Sequence, residues 1–114
     1  MSFPCGAVVL VASPNFDLRS FKKRPALVIQ AEHVVTDLTQ TVLALITSNL
    51  NRTGPTRVRV LRNSEAGSRM RLLVDSVILC DTLQTVSTDA IVRTVGTCPV
   101  MNQVDSALRA TLSL

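Results

Sequence analysis

The spacing of apolar and polar residues along this 114-residue chain predicts a series of short β-strands. Runs of apolar and β-branched residues alternate with clusters of Ser, Pro, Asn, Asp and Gly, which favour turns. Strands are expected at 6–12, 25–31, 41–47, 56–62 and 72–80, with two further extended segments at 82–86 and 91–95. The residues at 63–68 are expected to form a turn.

The segment 56–62 alternates most regularly. Arg57 and Arg59 fall on one face of this strand, and Val58 and Val60 fall on the other. This pattern is typical of a strand with one face against a core and the other toward solvent.

Only the C-terminal segment, 99–112, has a helical period. Its apolar residues recur every four positions, at Val100, Val104, Leu108 and Leu112. Pro99 suits a first helical turn, and Thr97 or Cys98 is expected near the cap. Several short strands and one terminal helix predict a mainly β fold: a small, strongly bent sheet or barrel with the helix packed on it. The chain length predicts a single domain over 1–114.

Composition and charge narrow the class of partner. The 46% hydrophobic and 18% charged residues indicate a globular chain. A net charge of +4 and a pI of about 9.6 favour an anionic partner, with nucleic acid the commonest candidate. The aromatic residues are only Phe3, Phe16 and Phe21, which argues against a broad base-stacking platform.

The sequence favours no membrane or metal site. No apolar run approaches the roughly 18 residues that a membrane span requires, and the N-terminus has no basic region of the kind that opens a signal peptide. Cys5, Cys80 and Cys98 form no CxxC or Cys/His spacing, so neither a zinc site nor a disulfide framework is expected. Unpaired thiols are typical of the reducing cytoplasm, which is the expected location.

The stretch FKKRPALVIQ joins a charge cluster to a predicted strand. Lys22, Lys23 and Arg24 precede Pro25, whose ring fixes the backbone at the point where the strand begins. From the residues alone, Arg24 is either a solvated loop charge or a guanidinium held in place by the strand.

Four segments resemble the MazF/PemK family of toxin endoribonucleases, in order and over nearly the whole chain. They are GAVVLVASPNFDLRSFKKRPALVIQ, LALITSNL, DSVILCDTLQTV and VGTCPVMNQVDSALRATLSL. The resemblance implies an SH3-like barrel of the CcdB/MazF type with a C-terminal helix. It also implies a cytoplasmic homodimer that cuts single-stranded RNA without a metal or other cofactor, and that a cognate antitoxin silences.

The resemblance assigns Arg24 to the scissile phosphate, because it matches the family's Arg-Pro motif. A guanidinium suits this role, since its planar fork binds phosphate and keeps its charge throughout turnover. Thr47 matches a hydroxyl donor to the phosphate, with Ser48 beside it in contact with RNA. Alternatively, both hydroxyls satisfy the backbone of the turn that follows.

Asp81 lines up with an aspartate credited as the general base in some PemK-type members. Those members carry an arginine two residues earlier, where this chain has Leu79. Asp81 is therefore either catalytic or structural. A second departure is Ala7, where the family usually has an acidic residue. The single histidine, His33, cannot be both acid and base, and we expect it to be an exposed bystander.

The other cations are expected to bind the RNA backbone. The candidates are Lys22, Lys23, Arg57, Arg59, Arg69 and Arg71. If the strands on either side of 63–68 form a hairpin, the four arginines make one positive stripe that contacts phosphates and carries little sequence choice. An ordinary solvated face is the alternative.

Two other functions stay open on the same fold. A CcdB-like gyrase-poisoning toxin depends on a tryptophan near its C-terminus, and this chain has none. A family member that has lost catalysis and only binds RNA or an antitoxin is compatible with Ala7 and Leu79.

Overall fold

The computed structural model describes residues 3–12, 23–32, 34 and 38–114. Within them the strands are β1 (Ala7–Val11), β2 (Arg24–Val28), β3 (Gln40–Thr47), β4 (Arg57–Val60), β5 (Ser76–Ser87) and β6 (Ile91–Thr97). A short helix, α1 (Glu65–Arg69), lies between β4 and β5, and the C-terminal helix is α2 (Met101–Leu112).

The strands form one antiparallel sheet in the order β4-β5-β3-β2-β1-β6. The predicted segments at 72–80 and 82–86 belong to a single strand, β5. Its register on β3 shifts between the pairs Leu45↔Leu79 and Ala44↔Leu83. Residues 80–82 of β5 therefore have no partner on β3, and a bulge of this kind bends a strand.

Both faces of the sheet bury apolar side chains. One face, with Leu27, Ile46 and Ile78, packs against Val104 and Ala107 of α2. The opposite face has a second core made of Ala7, Val9, Val11, Ala26, Val28, Leu43, Val86 and Ile91. Helix α2 therefore covers the first of these faces, and the opposite face has its own core without the helix.

The sheet is not closed into a barrel. Its edge strands are β4 and β6, and the described residues show no ladder between them. The end of α1 fills the space beside β6: a Cβ at Gly96 would lie 2.9 Å from the Met70 carbonyl oxygen. The predicted mainly β fold with a C-terminal helix is confirmed, as an open, bent sheet.

Two local predictions were wrong. The segment 63–68 contains the start of α1, because the Ser64 hydroxyl caps the helix by accepting from Gly67 N at 3.0 Å. Helix α2 begins at Met101 after Val100, and no side chain caps it. Cys98 lies two residues before Val100, and its backbone N–H donates to the Gly6 carbonyl at 2.8 Å, extending the β1–β6 pairing.

Candidate functional site

Arg24 and Thr47 lie at the same end of neighbouring strands. Arg24 opens β2 and Thr47 closes β3. The two strands pair through Ala26↔Leu45 and Leu27↔Ala44, and the same register continued by two residues sets Arg24 opposite Thr47. Cross-strand partners are about 5 Å apart and point to the same face. The fold therefore brings together the two residues first predicted at the scissile phosphate.

The line of paired residues that begins with Arg24 and Thr47 continues across the sheet to Val77 and Arg59, and we call these four residues the row. Thr47 pairs with Val77 of β5, and Val77 pairs with Arg59 of β4. Arg59 thus shares a face with Arg24 at about three strand spacings, or about 14 Å between backbones. Both arginines are exposed. They share this face with Ala26 of the second core, so the row lies on the side of the sheet away from α2.

The Thr47 hydroxyl starts an ordered loop. Its Oγ1 accepts from Asn49 N at 3.1 Å, and Asn49 Oδ1 accepts from Asn51 N at 3.1 Å. Accepting uses an oxygen lone pair, so the hydroxyl proton can still be donated. Turn formation and donation to a phosphate, the two sequence alternatives, are thus chemically compatible.

Asp81 belongs to a second cluster on the same face. Its Oδ2 lies 2.9 Å from Arg57 Nη2 and accepts from Thr56 Oγ1 at 3.1 Å, while its Oδ1 accepts from Thr82 Oγ1 at 3.3 Å. Arg57 also donates from Nη1 to the Thr53 carbonyl at 3.0 Å. The ion pair is partly exposed, with 23% of the Arg57 side chain and 29% of the Asp81 side chain accessible to solvent. The cluster ties β5 to the connection that leads into β4.

These contacts also set the protonation of Asp81. Partial desolvation raises the pKa of the carboxyl, but the hydrogen bonds from Arg57 and Thr56 and the Arg57 charge outweigh it, so the pKa is lowered. At neutral pH the group is a carboxylate with little tendency to accept a proton.

Asp81 stands apart from the Arg24–Thr47 pair. It lies four residues along β5 from Val77, the partner of Thr47, and within the bulge at 80–82 that has no partner on β3. Some PemK-type members carry an arginine at the position of Leu79. In this chain Leu79 pairs with Arg57 of β4. The guanidinium beside Asp81 therefore comes from the neighbouring strand.

Arg69 and Arg71 do not extend the Arg57/Arg59 face, so the predicted hairpin stripe was wrong. Arg69 belongs to helix α1 and pairs with Glu65 at 3.0 Å. Arg71 follows that helix with a left-handed φ of 58°. The two line an open cavity near β6 together with Ser68 and Thr97. The helix at 65–69, which the turn prediction missed, moves both arginines off the strands.

The remaining predicted residues divide by position. Lys23 and Ser48 are exposed beside Arg24 and Thr47, whereas Lys22 and His33 lie outside the described residues. Ala7 is buried in the second core, where its small side chain packs with other apolar groups. Sequence reasoning missed Thr53, which lies in the dense run of turn formers at 48–55, and Thr56, which opens the predicted strand 56–62.

The thiols form a separate set. Cys5 is exposed and Cys80 and Cys98 are buried, and all three are free cysteines. Burial raises the pKa of Cys80 to about 11. In the described ranges, no three His, Cys, Asp or Glu side chains come together as a metal-binding group.

The sequence model of the PemK-like, MazF-like toxins of type II toxin–antitoxin systems matches residues 5–112. The chain belongs to this family. No curated protein matches it by sequence. Among the described helices, none combines the length and apolar character needed to cross a bilayer.

Solved structures show the same fold. The Mycobacterium tuberculosis toxin MazF-mt6 superposes with a TM-score of 0.73 at 24% identity, over 95% of this chain and 97% of that one. An endoribonuclease in complex with its cognate antitoxin, from a mycobacterial species, gives 0.72 at 23% identity over 99% and 97%. MazF from Deinococcus radiodurans gives 0.73 at 19% identity over 100% and 99%. Nothing in these matches favours the gyrase-poisoning or the catalytically impaired alternative.

Proposed function

We propose that this toxin is an endoribonuclease that cuts single-stranded RNA at a site centred on Arg24 and Thr47. The observation that supports the proposal is the β2–β3 register, which ends at Ala26↔Leu45 and which, continued by two residues, sets Arg24 opposite Thr47 on the face away from α2. Family membership supplies the reaction class.

The reaction proposed is attack by a ribose 2′-oxygen on the adjacent phosphorus. The 2′-O–P bond forms and the P–O5′ bond breaks, so the products carry a 2′,3′-cyclic phosphate and a 5′-hydroxyl. The 2′-hydroxyl gives up a proton, and the leaving 5′-oxygen gains one. In this scheme the Arg24 guanidinium and the Thr47 hydroxyl bind the phosphate oxygens and stabilise the charge that builds up on them.

The proposed RNA path follows the exposed row. Lys23, Ser48 and Arg59 flank the centre, and contacts from these side chains to phosphates add affinity that salt weakens. Lys22, by its place in the sequence, adds to the same field. Arg69 and Arg71 bind a more distant part of the RNA backbone in this scheme, and Arg57 acts through Asp81.

We further propose a homodimer of one domain per chain, held inactive in the cytoplasm by a cognate antitoxin. Two solved structures support the proposal of an antitoxin partner. One is an endoribonuclease of this fold in complex with its cognate antitoxin, and the other is a MazE–MazF complex from Deinococcus radiodurans. The net charge of +4 suits an acidic segment of such a partner as well as RNA.

The test is cleavage of a defined single-stranded RNA by purified protein in the presence of EDTA, followed by analysis of the ends. We expect fragments with 2′,3′-cyclic phosphate and 5′-hydroxyl ends, with cleavage unaffected by EDTA. Arg109→Ala, which removes an exposed cation from α2, is the control for a general loss of charge. A folded protein that cleaves no RNA in a varied pool, or only with added metal, contradicts the proposal.

A further inference from the structure

We infer that Asp81 is a positioning residue: with Arg57 it holds the β3–β4 loop, residues 48–56, in the conformation that selects the RNA sequence. The RNA-reading part rests on the proposed function. The positioning part rests on contacts within the protein.

The loop is fastened at both ends. At its entry, Thr47 Oγ1 accepts from Asn49 N. At its exit, Asp81 accepts from the Thr56 hydroxyl, and Arg57 donates to the Thr53 carbonyl while it pairs with Asp81. Arg57 is therefore a bridge between the loop backbone and β5.

Internal hydrogen bonds give the loop one shape between these ends. Arg52 N donates to the Asn49 carbonyl at 3.3 Å, and Arg57 N donates to the Gly54 carbonyl at 3.1 Å. Gly54 has a φ of 122°, which other residues rarely adopt. Because the entry fastening is Thr47 itself, the loop conformation is linked to the orientation of a proposed catalytic hydroxyl.

The loop exposes groups that can read bases. Ser48, Asn49, Asn51 and Arg52 are exposed, and their side chains offer the hydrogen-bond donors and acceptors that recognise the edges of unpaired bases. Contacts to base edges carry sequence choice, whereas contacts to phosphates do not. A fixed loop presents these groups in one arrangement, and a loosened loop presents them in many.

The geometry argues against Asp81 as the proton acceptor. Both carboxylate oxygens already accept hydrogen bonds. The residue also lies in the bulge of β5, four positions from Val77, the residue paired with Thr47. Its lowered pKa points the same way.

The first measurement is amide hydrogen exchange at Asn49, Asn51, Arg52 and Arg57. We expect the exchange rates of these amides to rise about tenfold or more in Asp81→Ala and Arg57→Ala. In the wild type, local opening of the loop has to break the contacts of the Asp81–Arg57 cluster, and the variants lack these contacts. Arg59→Ala is the matched control: it removes the same side chain from the same strand and face, and should leave loop exchange as in the wild type. Asp81→Asn keeps an oxygen acceptor without the charge, so its exchange rates should lie between those of the wild type and those of Asp81→Ala.

The second measurement is the choice of cleavage site in a random single-stranded RNA pool, with kcat and KM on the preferred site. In Asp81→Ala we expect broader site choice and a KM raised about fivefold, with kcat within about threefold of the wild type, the pattern of lost binding rather than lost chemistry.

Each contrary outcome has a distinct meaning. Unchanged loop exchange in Asp81→Ala overturns the positioning role, and a loosened loop with unchanged site choice overturns the reading role. A kcat about 100-fold lower in Asp81→Asn, with the loop still protected, identifies Asp81 as a proton carrier and overturns the inference. If the wild type cleaves no RNA, the proposed function and the reading role fall together, while exchange still decides the positioning role.

Discussion

The two ends of the β4–β5 strand pair carry the same residue type in different surroundings. Near the start of β4, Arg57 is largely covered and its guanidinium binds Asp81 and the Thr53 carbonyl. Two residues on, Arg59 is exposed on the same face and makes no ion pair within the described part of the chain. The alternating sequence predicts the same surroundings for both arginines. Asp81 on the neighbouring strand β5 pairs with only Arg57, and this distinguishes the two.

This difference indicates where positive charge is available to a substrate. Asp81 offsets the charge of Arg57, so the cluster at the loop end is close to neutral. At the other end Arg59 shares its row with Thr47 and Arg24. The cluster at the loop end is an ion pair, whereas the row carries two exposed arginines.

The largest effect expected is that of Arg24→Ala. If the guanidinium stabilises the phosphorane, single-turnover cleavage should fall about 100- to 1000-fold while circular dichroism shows that the protein is still folded. Arg24→Lys should recover little, because an ammonium lacks the planar fork. Activity of Arg24→Ala near that of the control Arg109→Ala would remove Arg24 from the centre.

A smaller loss is expected for Thr47→Val. The change keeps the shape but removes the hydroxyl, so cleavage should fall about 10- to 100-fold and the Asn49 amide should lose its acceptor. Thr47→Ser keeps both functions and should stay close to the wild type. Equal activities of the Val and Ser variants would show that the hydroxyl has no part in the reaction.

Salt dependence tests the contrast between the two arginines directly. In Arg59→Ala the slope of log affinity for single-stranded RNA against log salt should become shallower by about 0.7, the share of one phosphate contact. The double change Arg57→Ala with Asp81→Ala removes a neutral pair, so its slope should match the wild type. The opposite ordering would place a phosphate contact at Arg57 rather than at Arg59.

The smallest effect expected concerns stability and pH. The Asp81 pKa is lowered by folding, so its contribution is present above the unfolded pKa of about 4 and is lost as the pH falls through the folded value. Asp81→Asn should therefore lower the unfolding free energy by about 1 kcal/mol at neutral pH, a modest value because the pair is partly exposed. Urea unfolding should show this deficit shrinking toward pH 3; a deficit constant with pH would indicate that charge is not its source.

The strands could be read from the sequence because each is short, apolar and bounded by turn formers. The alternation in β4 even gave the faces of its four residues correctly. Helix α1 was missed because five residues are too few for a helical period, leaving Ser64 followed by Glu65 as the only signal.

Only part of the candidate site could be proposed from the sequence. The Arg-Pro motif and the end of β3 indicated Arg24 and Thr47 by resemblance, and the β2–β3 register, continued two residues beyond Ala26↔Leu45, sets them opposite each other. The Arg57–Asp81 pair depends on how β4 aligns with β5 and on the bulge at 80–82. No local pattern specifies that alignment, so the bridge to the loop became visible only in the fold.

The most direct test compares Arg24→Ala and Asp81→Asn in one experiment, as single-turnover cleavage of the same RNA in EDTA at neutral pH. We predict that Arg24→Ala loses about 100-fold or more, whereas Asp81→Asn stays within about fivefold of the wild type. The reverse ordering, with Asp81→Asn inactive and Arg24→Ala active, would contradict a centre built on Arg24 and Thr47.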